Sequence, residues 1–305
     1  MKSNETTIKE FILLGLTDVR KLQLLFFFIL LLCYLLTITG NFMITILAHV
    51  DHRLHTPMYF FLWNFSITEI GYTTVVTPQT LSHLLMGCIS QLFFYFFLGT
   101  TDFFLLTVMS FDRYVAICNP LRYATIMNQC VCTWMVLISW IAGFILIFGQ
   151  TISFAQFPIC GSNIIDHFFC DNKPLMKLLC GDTRLLELVG FIVSIFSLLG
   201  TLAITTISYT IIISAILRIP TAAGRKKAFS TCASHIIVVS VTYGSCISMY
   251  LIPKKSEGKN FNNAVAILNN VVCPLMTPFV YTLRNKQVKD ALKDALGCKR
   301  ATQKI

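Results

Sequence analysis

An Asp-Arg-Tyr run, Asp112-Arg113-Tyr114, closes one of the long apolar segments of this 305-residue chain. A carboxylate beside a guanidinium forms a charge-assisted pair that holds itself closed and can be opened. At a membrane boundary such a pair is a poor anchor and a good switch. Cys88 lies 25 positions before Arg113. At about 1.5 Å per residue an unbroken helix between them is roughly 37 Å long. That crosses a hydrocarbon core of about 30 Å. One helix would carry a cysteine to one face of a membrane and an ion pair to the other.

Two more ionisable residues, Glu69 and Asp102, fall inside apolar segments. Charge in a bilayer is costly and usually marks function. Counted along their helices from the inner side, Glu69 lies roughly 19 Å deep and Asp102 roughly 16 Å deep, so the two can converge. Paired carboxylates share a proton or hold a cation. A cation- or proton-dependent switch in the bundle core is expected, set against a plain structural hydrogen-bond network.

The elements that must position these residues come from the hydropathy. Hydrophobic residues make up 55 % of the chain and charged residues 12 %, with mean hydropathy +0.72; soluble domains carry about twice that share of charge. The apolar residues form seven blocks, about 23–48, 57–82, 89–111, 131–155, 187–217, 229–252 and 263–283. Each is long enough to span. The fold class expected is an all-α membrane protein, a seven-transmembrane helix bundle. Residues 1–22 form an outer tail, 23–283 the bundle and 284–305 a cytoplasmic tail. Val288, Ala291, Leu292 and Ala295 recur at helical period in that tail, so a short amphipathic helix on the inner leaflet is expected.

No cleavable signal pattern opens the chain, since Lys2, Glu5, Lys9, Glu10, Asp18 and Arg20 precede an apolar block too long for a signal core. With the amino end outside, 14 of the 24 Lys and Arg residues fall on inner segments, and the outer ones are offset by eight acids. The positive-inside rule favours this orientation. It also puts the acceptor motif Asn4-Glu5-Thr6 where glycosylation occurs. The net charge of +10 is thus topology and lipid contact, not nucleic-acid binding. No nucleophile–base set points to an enzyme, no internal repeat points to a transporter or channel, and neither cofactor nor metal is implied.

Of twelve cysteines, Cys88, Cys160, Cys170 and Cys180 fall at outer positions, where an oxidising lumen makes disulfides the default. Four cysteines allow three pairings, and all three stay open at this point. The remaining eight lie in spans or on the inner side, where free thiols are expected.

Further motifs narrow the reading. Gly40-Asn41 lies in the first span and Leu54-His55-Thr56-Pro57-Met58-Tyr59-Phe60-Phe61-Leu62 opens the second. Asn119-Pro120-Leu121-Arg122-Tyr123 follows the third, and Ser208-Tyr209 lies in the fifth. Lys227-Ala228-Phe229-Ser230-Thr231-Cys232-Ala233-Ser234-His235 opens the sixth, and Pro278-Phe279-Val280-Tyr281-Thr282-Leu283-Arg284-Asn285-Lys286 closes the seventh. Over nearly its whole length the chain resembles the vertebrate olfactory receptors, in their larger tetrapod-type class, within the rhodopsin-like G-protein-coupled receptors.

The resemblance implies a volatile or small organic ligand and a stimulatory heterotrimeric G protein that raises cyclic AMP. It implies a plasma-membrane location, in a sensory cilium. Bridges are implied between Cys88 and Cys170 and between Cys160 and Cys180, with Cys88–Cys180 as the alternative. Asp112, Arg113, Tyr114, Tyr209, Lys227, His235 and Tyr281 are the expected coupling residues; Asn41, Glu69, Asp102 and Thr277 are the expected buried polar switch. Helix register places the ligand in the outer half of the bundle. Phe96, Gly99, Thr100 and Phe103 face it from the third span, and Ser194 and Ser197 from the fifth. Tyr243, Cys246, Ile247 and Tyr250 face it from the sixth and Asn270 from the seventh. That lining is apolar and aromatic with a few hydroxyls, and offers no charge to an amine.

Two departures from the family pattern stand out. The connection before Cys88 is some eight residues short of the family's, with the turn expected near Met86-Gly87; a chain so shortened can be a silent receptor-like protein. Thr277 also precedes Pro278 where the family carries Asn or Asp, which weakens the expected link to Glu69.

Overall fold

The computed structural model describes residues 12–13, 19–76, 85–158, 164–165, 172–176, 178–250, 264–284 and 286–295. The apolar blocks become helices because a segment in hydrocarbon must satisfy its backbone amides internally. In chain order these are α1 (Arg20–Val50), α2 (Pro57–Val76), α3 (Leu85–Cys118), a short α4 (Tyr123–Ile126) and α5 (Gln129–Ala155). There follow α6 (Asn172–Met176), α7 (Arg184–Leu217), α8 (Ala222–Tyr250), α9 (264–284) and α10 (Lys286–Ala295). Six of the described helices, α1, α3, α5, α7, α8 and α9, are long and apolar enough to cross a membrane. The seventh span, α2, is a 20-residue helix that buries Asn64, Ser66, Thr68, Glu69 and Thr73. Its polar residues lower its hydropathy while turning inward.

Local chemistry sets several boundaries. Pro57 starts α2, where its missing amide hydrogen costs nothing. Asn128 caps α5, its side chain accepting from the Val131 amide at 3.0 Å. The turn expected at Met86-Gly87 is instead the first turn of α3. Leu85 and Met86 are good helix formers, and one glycine costs only about 1 kcal/mol. The shortened connection falls on residues 77–84, outside the described residues.

α3 is the central strut, packing on α2, α5 and α7, while α9 packs against α1 and α8. Two glycines allow the tightest approaches. A β-carbon at Gly40 would lie 2.8 Å from the Pro278 ring, and one at Gly143 would collide with the Thr101 hydroxyl. The bundle is apolar outside as well as inside: α1 exposes Leu24, Phe28, Leu32 and Leu35. Beside the helices, a two-residue parallel pair joins Ile12–Leu13 to Ile164–Ile165.

Candidate functional site

Three polar layers stack through the bundle. At the Cys118 end of α3, the inner end in the orientation expected from the charge distribution, Arg113 donates from Nε to Asp112 Oδ2 at 2.9 Å, and its Nη2 pairs with the same oxygen. The other carboxylate oxygen accepts from the Tyr123 hydroxyl at 2.7 Å. Asp112 is wholly buried and the Arg113 side chain nearly so. A buried pair this well matched is a closed latch, and Tyr123 ties it to the inner loop. Within the same end, Tyr209 and His235 are hydrogen-bonded at 2.5 Å. Tyr281 is buried, its hydroxyl without a hydrogen-bond partner among the described residues. Tyr114 packs against the cluster formed by Tyr209, Ile212, Ile216 and Cys232. Lys227 lies exposed on the first turns of α8. Leu121, on the loop held by Tyr123, is 99 % exposed.

In the middle layer Glu69 and Asp102 are both buried, and Asp102 lies within reach of the Glu69 charge. Asp102 Oδ1 accepts from the Thr68 hydroxyl. Glu69 Oε1 accepts from the Thr277 hydroxyl at 3.4 Å, the long end of hydrogen bonding. Asn41 does not join them by a hydrogen bond among the described residues. Its amide donates to Thr37 O at 3.0 Å in its own helix, and its Oδ1 has no partner among the described residues.

The outer layer holds an amide–phenol cluster. Asn270 Oδ1 accepts from Tyr72 at 2.8 Å and from Tyr95 at 3.1 Å. The neighbouring Asn269 accepts from Ser245 at 3.0 Å and from the Cys246 thiol at 3.2 Å. Both asparagines point inward because α9 makes a π-turn over Leu268–Val272. An ordinary helical count selects Asn270 and misses Asn269, Tyr72, Tyr95 and Ser245. The signal available in the sequence was the Asn-Asn pair itself, since adjacent amides in an apolar span both need partners.

The expected pocket residues divide. Phe103 and Tyr243 meet with ring centroids 5.1 Å apart, and Cys246 and partly buried Ile247 lie in the same core cluster. Gly99 sits beside Tyr72, Thr100 is buried, and Ser197 is buried with its hydroxyl donating to Val193 O at 2.7 Å. Ser194 is a correction: it is exposed on the outside of α7. A second π-turn, Phe196–Gly200, adds a residue to one turn and rotates the segment before it relative to a regular count. The Tyr250 side chain lies outside the described residues, as do Asn4, Cys160 and Cys170.

A small, water-sized cavity opens between α3, α5 and α7, beside α6. Phe96, Phe154 and Leu186 form apolar walls; Gln150, Thr151 and Asn172 supply the polar atoms. Of the expected pocket residues only Phe96 lines it. Cys88, at the top of α3, and Cys180 are each disulfide-bonded. Seven described cysteines in the spans or on the inner side are free.

A model of the family described as olfactory receptor matches residues 30–299. The chain is 56 % identical over 301 residues to Olfactory receptor 6E1 of Mus musculus, covering 96 % of each chain. It is 52 % identical to Olfactory receptor 6C76 and 50 % identical to Olfactory receptor 6C3, both of Homo sapiens, over 96 % of its length. These cover 96 % and 97 % of the two human proteins.

Proposed function

The chain belongs to the olfactory receptor family, and on that premise we propose that it binds a small, mostly apolar odorant in the outer half of its bundle and activates a stimulatory G protein to raise cyclic AMP. The family is not enzymatic, and this protein is a multi-pass membrane receptor. The observation that carries the coupling step is the closed Asp112–Arg113 pair, held by Tyr123 at the inner end of α3.

Ligand bound against α3, α7 and α8 bears on the Phe103–Tyr243 contact. Outward movement of the inner part of α8 breaks the Tyr209–His235 bond, and Lys226 and Lys227 at its start bias that movement. Arg113 then leaves Asp112 and meets carbonyl and carboxylate oxygens of the G-protein tail. Leu121 is the apolar contact beside it, because a leucine 99 % exposed on a pinned loop is suited to a partner's apolar cleft. Glu69 and Asp102, with Thr68 and Thr277, hold a cation or a shared proton in the resting bundle.

In this reading the amino end and Asn4 lie outside, the receptor works in the plasma membrane of a sensory cilium, and α10 rests on the inner lipid leaflet. Cys88–Cys170 and Cys160–Cys180 pin the outer loop over the bundle as a lid. The pairing in which Cys88 meets Cys180 is the alternative that peptide mapping under non-reducing conditions separates.

The test is cyclic AMP in cells expressing the wild-type chain, exposed to a broad odorant panel beside an Arg113→Ala control. A ligand-dependent rise that the control abolishes is expected. Absence of any response, with the amino end stained at the surface, would make the protein a silent receptor-like chain; absence of staining would put the fault in the shortened connection. Ligand-gated current without a G protein would move it to the channel class.

A further inference from the structure

Four cations crowd one short stretch of the inner rim. Arg218 directly follows α7, and Arg225, Lys226 and Lys227 fall in the first two turns of α8. The turn between the helices, residues 219–221, is held in place. Thr221 Oγ1 accepts from the Gly224 amide at 3.2 Å, and Thr221 O accepts from the Arg225 amide at 3.0 Å. All four cationic side chains are exposed, and none forms an ion pair among the described residues. The chain carries no acid between Glu187 and Glu257. Of the four described acids at this end, three are engaged elsewhere, Asp51 and Asp294 on Arg53 and Asp112 on Arg113. The fourth, Asp290, belongs to α10.

Apolar side chains are exposed next to the cations: Ile213 and Leu217 on α7 and Phe229 on α8. Phe229 follows Arg225 by four residues and so lies beside it on one helix face. Clustered like charges repel, and a counter-anion relieves them.

We infer that the inner ends of α7 and α8 form a recognition surface for a polyvalent anionic lipid, an inositol phospholipid with phosphates on its ring. Its headgroup meets Arg218 and Arg225, and its acyl chains run along Leu217 and Phe229. Basic clusters immediately inside a spanning helix suit such headgroups. One multiply charged lipid neutralises a cluster that would otherwise immobilise several singly charged ones. The exposed apolar residues favour a lipid over a soluble phosphate. Positive-inside anchoring, by contrast, acts on every cation of this face alike. The inference rests on the orientation with the amino end outside.

The experiment titrates purified full-length receptor in detergent with dioctanoyl phosphatidylinositol bisphosphate, dioctanoyl phosphatidylserine and inositol trisphosphate. Apparent Kd is read from thermal stabilisation. The bisphosphate lipid should bind at least about tenfold tighter than phosphatidylserine, and about tenfold tighter than inositol trisphosphate, which has no chains. Arg218→Gln combined with Arg225→Gln should weaken the bisphosphate lipid about thirtyfold, as about 1 kcal/mol per cation allows. Lys289→Gln combined with Lys293→Gln, on exposed positions of α10, should weaken it less than threefold, or about 0.6 kcal/mol.

Equal binding of the two lipids, or equal losses in the two double variants, would reduce the cluster to diffuse anchoring and overturn the inference. Inositol trisphosphate binding as tightly as the lipid would assign the surface to soluble phosphates and overturn it too, as would no binding of the bisphosphate lipid. The ranking of the three ligands on the wild type needs no variant to fold. Detergent leaves both ends accessible, so a failure of the orientation is read separately, from staining of the amino end in intact cells.

Discussion

The hydroxyl of Tyr209 lies 2.5 Å from Nδ1 of His235, and the two rings stack with centroids 5.7 Å apart. The pair is a phenol–imidazole hydrogen bond whichever ring supplies the bridging proton. The bond joins α7 to α8 in their inner halves, beside the Asp112–Arg113 latch, and so belongs to the closed arrangement.

Tyr209→Phe removes this bond and keeps the ring. A buried hydrogen bond contributes about 1 kcal/mol net, a factor of about five in a two-state ratio. Ligand-free cyclic AMP should therefore rise up to about fivefold at unchanged surface display. An unchanged basal level would show that the bond does not hold the resting state.

The Tyr123–Asp112 contact of 2.7 Å gives a second, separate handle. Burial, reinforced by the Asp112 charge, pushes the Tyr123 phenol above its usual pKa, so it stays a donor throughout the working range. Tyr123→Phe should raise basal signalling about two- to fivefold without adding any pH dependence between pH 6 and 9. Because Tyr123 and Tyr209 share no hydrogen-bond partner among the described residues, the double variant should multiply the two effects. A double variant no more active than either single one would mean that both act on one element.

How much of this was legible in the sequence depended on regular helices. The seven apolar blocks, the Asp112–Arg113 pair and the burial of Glu69 and Asp102 follow from composition and a constant rise per residue. What failed lay at irregularities: the π-turn at Phe196–Gly200 rotates Ser194 outward, and that at Leu268–Val272 brings Asn269 in beside Asn270. No local residue pattern announced the first turn, and the adjacent Asn269-Asn270 pair was the sign of the second.

Gly143 tests the packing of α3 on α5. A β-carbon there meets Thr101 and lies 3.4 Å from the Phe97 carbonyl oxygen, and the backbone cannot yield as a flexible side chain would. Gly143→Val should cost about 1–3 kcal/mol and sharply reduce surface staining, whereas Gly149→Val, with open space around it, should be delivered normally. Equal delivery of both would mean the helices separate to accommodate the side chain.

At the inner rim, Arg53 bonds Asp51 at 2.6 Å and Asp294 of α10 at 2.7 Å. The Arg53 guanidinium, through its hydrogen bond, holds the Asp51 carboxyl down at about 2, from an ordinary 3.8. A depressed carboxyl pKa means a contribution present above pH 4 and lost as pH falls toward 2. Protection of the Arg53 amide, which donates to Asp51 Oδ1 at 2.9 Å, should therefore be flat from pH 8 to 5 and fall below 4. The link to α10 is the separate Arg53–Asp294 pair, and docking of α10, followed by hydrogen exchange of residues 286–295, should loosen in high salt because that pair is exposed. Slow exchange that persists in Arg53→Ala would assign the docking to buried Val288 and Ala291 alone.

The middle layer decides between a switch and a scaffold. Glu69 and Asp102 have hydroxyl partners, Thr277 and Thr68, and no cationic side chain among their hydrogen-bonding or ion-pairing partners in the described residues. Two carboxylates so placed need a shared proton or an ion. A bound ion stabilises the state that holds it, in proportion to the logarithm of its concentration. The melting temperature of the purified receptor should thus rise with sodium chloride relative to N-methylglucamine chloride at equal ionic strength. Glu69→Gln and Asp102→Asn should each abolish the difference and change basal cyclic AMP. If sodium has no effect but lowering the pH stabilises the wild type and neither variant, the shared proton is the occupant. If both variants match the wild type in melting, basal and ligand-evoked signalling, the pair is structural and the switch is refuted.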